Sequence, residues 1–237
     1  MAFYKGLDSA GKTFASALIG GDLSRSPGGI QVSITALGES RRRKLVYRSG
    51  GRPGDWVCVT GALGRAAAGL DLLKKGRKRG RTAAERCALN AFRMPWPCCE
   101  AGQYLAQSGC ASAMMDLSDG LSADLPRLCR ASSAGAEVYC SKLPLFCESR
   151  AWSCDPLDMA LHGGEDFALL FCVRPHRLRR LQALWPKGLP AFTPIGRLVP
   201  GTGVICRENP GMPSRSLPEL GFDHFRNSDM HPQIPAE

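Results

Sequence analysis

Apolar and polar positions follow two rhythms along the chain, and these sort it into elements. Ile30-Gln31-Val32-Ser33-Ile34-Thr35-Ala36-Leu37 alternates apolar with polar, the period-two signature of a half-buried strand. Ala17-Leu18-Ile19 predicts a shorter strand ending at Gly20-Gly21-Asp22, and Leu23 to Gly29, rich in Ser, Pro and Gly, predicts a loop. Residues 3–15 place Phe3, Leu7, Ala10 and Phe14 at helical spacing, which predicts an amphipathic helix.

Beyond a turn-rich junction, Arg48-Ser49-Gly50-Gly51-Arg52-Pro53-Gly54, strands and helices take turns. Asp55 to Thr60 predicts a strand, Gly61 to Gly64 a glycine turn and Arg65 to Lys74 a helix. A helical region over 82–108 is interrupted near Pro95 and Pro97, and residues 113–116 predict another strand. The helix after it carries Leu121, Leu125 and Leu128 on one face and is expected to begin near Ser122, with Pro126 in its first turn. Phe167 to Val173 reads as a buried strand, Pro175 to Leu184 as a basic helix, and 192–199 and 204–206 as strands; the tail after Asn227 is expected to be loose. The alternation places the chain in the α/β class, with layers of helix on sheet.

Composition narrows the picture. The 237 residues suffice for one large domain or two small ones, and 44% hydrophobic with 22% charged residues is the balance of a soluble globular protein. No apolar run is long enough to span a bilayer, and the first residues lack the apolar core of a signal peptide. The eleven cysteines include no CxxC pair and no zinc-type spacing, so they read as reduced thiols of a cytoplasmic protein. The formal charge of +10 gathers in Arg41-Arg42-Arg43-Lys44 and in Lys74 to Arg81, without interleaved aromatics. That pattern suits a small anionic substrate better than nucleic acid.

The most informative stretch is Met114-Met115-Asp116-Leu117-Ser118-Asp119-Gly120-Leu121. A strand ends in one carboxylate and a second follows where a helix begins, an oxygen-rich corner suited to Mg²⁺ and phosphate. The same residues can equally be a helix cap. Gly6 to Thr13 matches the phosphate-binding P-loop at every specified position, with Lys12 and Thr13 in the roles that pattern requires. Only five residues precede it, too few for the buried strand such a loop needs, and a continuous helix is the better-fitting reading. Val59-Thr60-Gly61-Ala62-Leu63-Gly64 hints at a dinucleotide turn but has Ala66 in place of the third glycine. Gly20-Gly21-Asp22 and Gly163-Gly164-Glu165-Asp166 add two acidic glycine turns, Arg48 a phosphate clamp, and Gly221-Phe222-Asp223-His224-Phe225 an aromatic face.

In order, LIGGDLSRSPG, RSGGRPGDWVCVTGALGRAAAGL, MMDLSDGLSADL, LPL, LHGGEDFALLF, PIGR and GFDHF resemble the thiamine-monophosphate kinase family of the aminoimidazole-ribonucleotide-synthetase-like superfamily. The resemblance runs from about Phe3 to Phe225. It implies a C-terminal synthetase-like α/β domain over 48–237, preceded by a partial N-terminal domain over 1–47. It implies transfer of the ATP γ-phosphoryl group to thiamine monophosphate, giving thiamine diphosphate and ADP, with ATP as co-substrate and Mg²⁺ as cofactor. Asp22, Asp116 and Asp119 resemble the metal ligands; Gly21, Asp22, Arg48 and Ser118 the ATP-site residues; Glu165 and Phe222 the substrate contacts. An ionised phosphate acceptor needs no side-chain base, so no catalytic base is assigned.

The family carries an Asp-Asp-Ala and an Asn-Leu-Ser-Asp motif ahead of the point where this chain starts, which reads as an N-terminal truncation. Leu23 stands where a Thr is usual, and Arg93-Met94-Pro95-Trp96-Pro97-Cys98-Cys99 replaces an Arg-Pro-x-Pro-Arg-Val run. Rival readings are an inactive fragment of such a kinase, a selenophosphate- or purine-type synthetase of the same superfamily, or a P-loop protein using Gly6 to Thr13. Neither nucleic acid nor membrane is expected as a partner, and a homodimer is expected of the full-length family.

Overall fold

A computed structural model describes residues 2–40, 45–152 and 155–222. The chain divides into two units, residues 1–42 and 43–237.

In the first unit, α1 spans Ala2–Thr13. Lys12 forms an i, i+4 ion pair with Asp8 at 2.6 Å, and the Thr13 hydroxyl donates to the Ser9 carbonyl at 2.9 Å. Both residues the P-loop reading would commit to phosphate and metal are therefore spent on helix surface contacts, and the backbone through Gly6 and Gly11 is helical. That reading is overturned. The helix ends two residues short of the expected 3–15, and Ala15 turns the chain at φ 51°.

The strands expected at 17–19 and 30–37 do not form. Ile19 is 82% exposed and Ile30 95% exposed. Alternation only prepares a face; a strand also needs a hydrogen-bonded neighbour and something to bury that face against. Among the described residues of this unit neither is present, so Gly21 and Asp22 lie in an exposed loop rather than beyond a strand.

In the second unit, seven strands among the described residues form one sheet in the order β2-β4-β1-β5-β3-β6-β7. They are β1 (Trp56–Thr60), β2 (Ala111–Leu117), β3 (Gly135–Tyr139), β4 (Ala168–Val173), β5 (Phe192–Val199), β6 (Val204–Arg207) and β7 (Ser214–Ser216). All neighbours are antiparallel except β3 and β6. The helices are α2 (Arg65–Lys74), α3 (Ala83–Arg93), α4 (Cys99–Ser108), α5 (Leu121–Ser132), α6 (Pro156–His162) and α7 (Pro175–Leu184).

Period-two alternation explains the layering. Val57, Val59, Leu170 and Cys172 point to one face and pack with Leu121, Leu125 and Leu128 of α5 and Leu161 of α6. Cys58, Phe171 and Val173 point to the other and meet Leu105 of α4 and Leu178 and Leu181 of α7. Central strands buried on both faces read as near-continuous apolar runs, which is why β1 and β4 were legible in sequence. The α2–α3 pair packs Leu72, Ala88 and Leu89 against Phe146 and Trp152. Thr82 caps α3 by accepting the Glu85 N–H, while the Glu85 carboxylate accepts the Arg81 N–H, a variant of the capping box.

Among the strands and α-helices of the described residues, β3, α6 and β7 went unforeseen. The short β3 leads directly into a 3₁₀ turn at Cys140–Lys142, and α6 has only seven residues. Helix α5 starts at Leu121, so Pro126 lies in its second turn and not its first. Asp223, His224, Phe225 and the tail after Asn227 lie outside the described residues.

Candidate active site

The site grows from the end of β2. Met115 and Leu117 point into the core beneath α5, so Asp116 between them points away from α5 and is exposed. It pairs in register with Leu169 of β4. After Leu117 the chain bends through Ser118 and Asp119 and enters α5 at Gly120.

Gly120 is needed there. Its φ is 101°, and a Cβ would sit 2.9 Å from the His162 carbonyl oxygen. That close approach brings the 162–167 segment against the bend. The Glu165 N–H donates to the Ser118 carbonyl at 2.8 Å and the Phe167 N–H to the Leu117 carbonyl at 2.9 Å. On the other side, the Phe222 N–H donates to the Asp119 carbonyl at 3.0 Å. Backbone hydrogen bonds thus bring together Ser118, Asp119, Glu165 and Phe222, residues drawn from three separate motifs.

Electrostatics shape the bend from below. Asp124, fully buried in the first turns of α5, accepts the N–H groups of Ser118 and Asp119 at 3.0 Å each. Arg127 Nη1 donates to Asp124 Oδ1 at 2.7 Å and also to Asp119 Oδ2. Burial pushes the Asp124 carboxyl above the usual aspartate range, against the pull of the Asp119 amide and of Arg127. The hydrogen bond to Asp119 raises the Arg127 guanidinium further above its ordinary value. Asp124 and Arg127 were missed as site residues, although both stand in or just beyond the MMDLSDGLSADL run, three positions apart on α5.

A third missed residue is Asp166. Helix α2 begins at Gly64, which has no side chain to cap it. Asp166 supplies the cap from just before β4, the strand next to β1, accepting the Gly64 N–H at 2.6 Å and the Ala66 N–H at 2.9 Å. Its neighbours Glu165 (φ 69°) and Phe167 (φ 46°) both hold left-handed backbone, unusual for residues with side chains. The cap overrides the dinucleotide hint at Val59 to Gly64, because the chain's own carboxylate takes the helix terminus a phosphate would need.

The remaining expected residues stand as follows. Ser118 is half-buried, Glu165 is exposed, and Phe222 is 38% exposed. Arg48 is exposed, and its carbonyl accepts the Ser132 hydroxyl at 3.3 Å. Gly21 and Asp22 are exposed in the first unit, where Asp22 accepts the Ser24 hydroxyl at 2.9 Å. Among the described residues, no three His, Cys, Asp or Glu side chains are grouped so as to hold a metal ion. The Asp116 and Asp119 carboxylates with the Ser118 hydroxyl nevertheless fit Mg²⁺ in kind. They are hard oxygen donors, and Mg²⁺ commonly takes one or two carboxylates, completing its shell with water and phosphate.

With the geometry in hand, comparison with known proteins is informative. The family profile described as AIR synthase related protein, C-terminal domain, matches residues 52–207. Thiamine-monophosphate kinase of Pyrococcus horikoshii is 31% identical over 225 residues, spanning 95% of this chain and 67% of that relative. Its counterpart from Escherichia coli K12 is 34% identical over 212 residues, spanning 88% and 63%. The solved structure of AaThiL complexed with AMPPCP and TMP has a TM-score of 0.61 at 33% identity and covers 76% of this chain and 54% of that one. The hydrogenase maturation protein HypE of E. coli, at 20% identity and a TM-score of 0.55, shares the fold alone. The chain spans about two thirds of the length of the curated relatives it matches. On these grounds it belongs to the thiamine-monophosphate kinase family, among the AIR synthase related proteins.

Proposed function

We propose that the chain serves ATP-dependent phosphorylation of thiamine monophosphate to thiamine diphosphate. The observation that carries this reading is the backbone-bonded convergence of the Ser118-Asp119 bend, the Glu165 loop and Phe222 at one end of the sheet. It combines acidic, hydroxyl and aromatic groups within one neighbourhood, the needs of a charged phosphate and a heterocycle. Membership of the kinase family supports the reading, as does the relative complexed with AMPPCP and TMP.

Phosphoryl transfer asks for positioning and charge neutralisation more than for covalent help. Asp116 and Asp119 would hold Mg²⁺, which supplies charge neutralisation on phosphate oxygens when bound. Ser118 and Arg48 would orient ATP, with Gly21 and Asp22 assigned to ATP and metal by resemblance to the family. Glu165 would contact the thiamine moiety, and Phe222 would offer its ring to the heterocycle. The acceptor phosphate is already ionised near neutral pH, so no side chain need remove a proton.

The test is conversion of thiamine monophosphate to thiamine diphosphate by the full chain with ATP and Mg²⁺, read as fluorescent thiochrome diphosphate after oxidation. Product is expected from the wild type, and a loss of about a hundred-fold or more from Asp119→Asn, in keeping with removal of a group that stabilises transferring phosphate. Thiamine diphosphate formation unaffected by Asp119→Asn would refute the assignment.

A further inference from the structure

Arg127 is not explained by the reading above, and its bonding is unusual. One nitrogen, Nη1, serves two carboxylates, Asp119 Oδ2 and Asp124 Oδ1. The partners differ sharply. Asp124 is fully buried and tied to two backbone amides, whereas the Asp119 side chain retains 28% exposure. Asp124 is therefore a fixed anchor and Asp119 a replaceable partner. Arg127 itself is 35% exposed, so its side chain is not enclosed.

From this geometry we infer that Arg127 is a placeholder cation: it neutralises Asp119 while no divalent ion is bound, and yields that carboxylate on ion binding while pivoting on Asp124. The inference rests on the proposed role of Asp119 as a metal ligand and adds a positioning residue to it. Two like charges cannot share one carboxylate cheaply, so an arriving divalent ion competes with the guanidinium. Retaining the buried bond to Asp124 limits the loss to one of two ion pairs, and the exchange stays reversible. A guanidinium suits this duty because it stays charged throughout and carries several donors, so the bond to Asp124 can persist while the one to Asp119 is given up.

The test uses the full chain and Mn²⁺ as the probe ion, with binding followed by electron paramagnetic resonance in the presence of AMPPCP. Wild type is expected to bind Mn²⁺ in a manner that Asp119→Asn abolishes. Arg127→Gln removes the competitor and is expected to bind about ten-fold more tightly, with Arg127→Lys between the two. A second measurement, independent of any variant's folding, is the ¹⁵Nε resonance of Arg127 in the wild type, expected to move on adding Mg²⁺ with AMPPCP. If wild type binds Mn²⁺ through Asp119 but Arg127→Gln binds equally or more weakly, or the Arg127 resonance stays still, the placeholder role is overturned and the metal site stands. If wild type shows no Asp119-dependent binding, the metal assignment falls and the placeholder role with it.

Discussion

Replacing Asp166 with alanine tests the long-range cap that ties the Glu165 loop to helix α2. The carboxylate accepts two N–H groups of the helix start, from Gly64 at 2.6 Å and Ala66 at 2.9 Å. Removing it orphans two enclosed donors, each worth about 1–3 kcal/mol. Part of that is returned, because burial already holds the Asp166 carboxyl above its ordinary value, against the helix amides and Arg65. The net loss is about 2–3 kcal/mol by urea unfolding, or a melting point lower by about 4–12 °C for a protein of this size. Asp166→Asn keeps one acceptor and should lose about half as much.

The pH dependence follows from the direction of the shift. A folded pKa above the unfolded one gives stability that is fully present below the unfolded value and is lost as pH rises through the folded value. The advantage of wild type over Asp166→Asn should therefore be largest in acid and shrink above the usual aspartate range. Hydrogen exchange locates the effect: the Gly64 and Ala66 amides should lose protection in the alanine variant. If Asp166→Ala lies within about 0.5 kcal/mol of wild type and those amides stay protected, the cap does not hold the helix.

Two further outcomes are expected. Gly120→Ala forces a side chain into left-handed backbone and against the His162 and Gly163 carbonyls, at a cost of about 3 kcal/mol in denaturant unfolding. On the proposed function its thiamine monophosphate KM should also rise, since the Glu165 loop is displaced; a variant of wild-type stability would contradict the packing. Burial lowers the His162 pKa, with Asp158 opposing and Arg215 assisting, and the imidazole Nδ1 lies 2.9 Å from the Ser122 hydroxyl. A folded pKa below the unfolded one gives stability present above the ordinary histidine value and lost as pH falls through the folded one. Wild type should therefore weaken relative to His162→Gln below about pH 6.5, as read by thermal melts from pH 5 to 8. An unchanged difference across that range would show that the imidazole is not held neutral.

What the sequence by itself determined were the features that local pattern can carry. Strands β1, β4 and β5 and helices α2 and α7 follow from apolar runs, glycine turns and prolines at helix starts, signals complete within about ten residues. The motif order likewise exposed Asp116, Asp119, Glu165 and Phe222 as candidates, because carboxylates and an aromatic beside glycines stand out without any knowledge of the fold. Tertiary structure decided what these residues meet. The Ile30 to Leu37 alternation suits a strand, but a strand exists only with a hydrogen-bonded neighbour, and the described residues of the first unit offer none. Asp116 and Asp119 lie three positions apart, yet the end of the sheet directs one away from α5 and binds the other to it through Arg127. Asp124 and Asp166 looked like ordinary acids in a motif, and their partners reveal them as the groups that hold the bend and cap a distant helix. Such roles depend on which backbone amides lack a partner at a chosen place in space, and that is settled only when the chain has closed on itself.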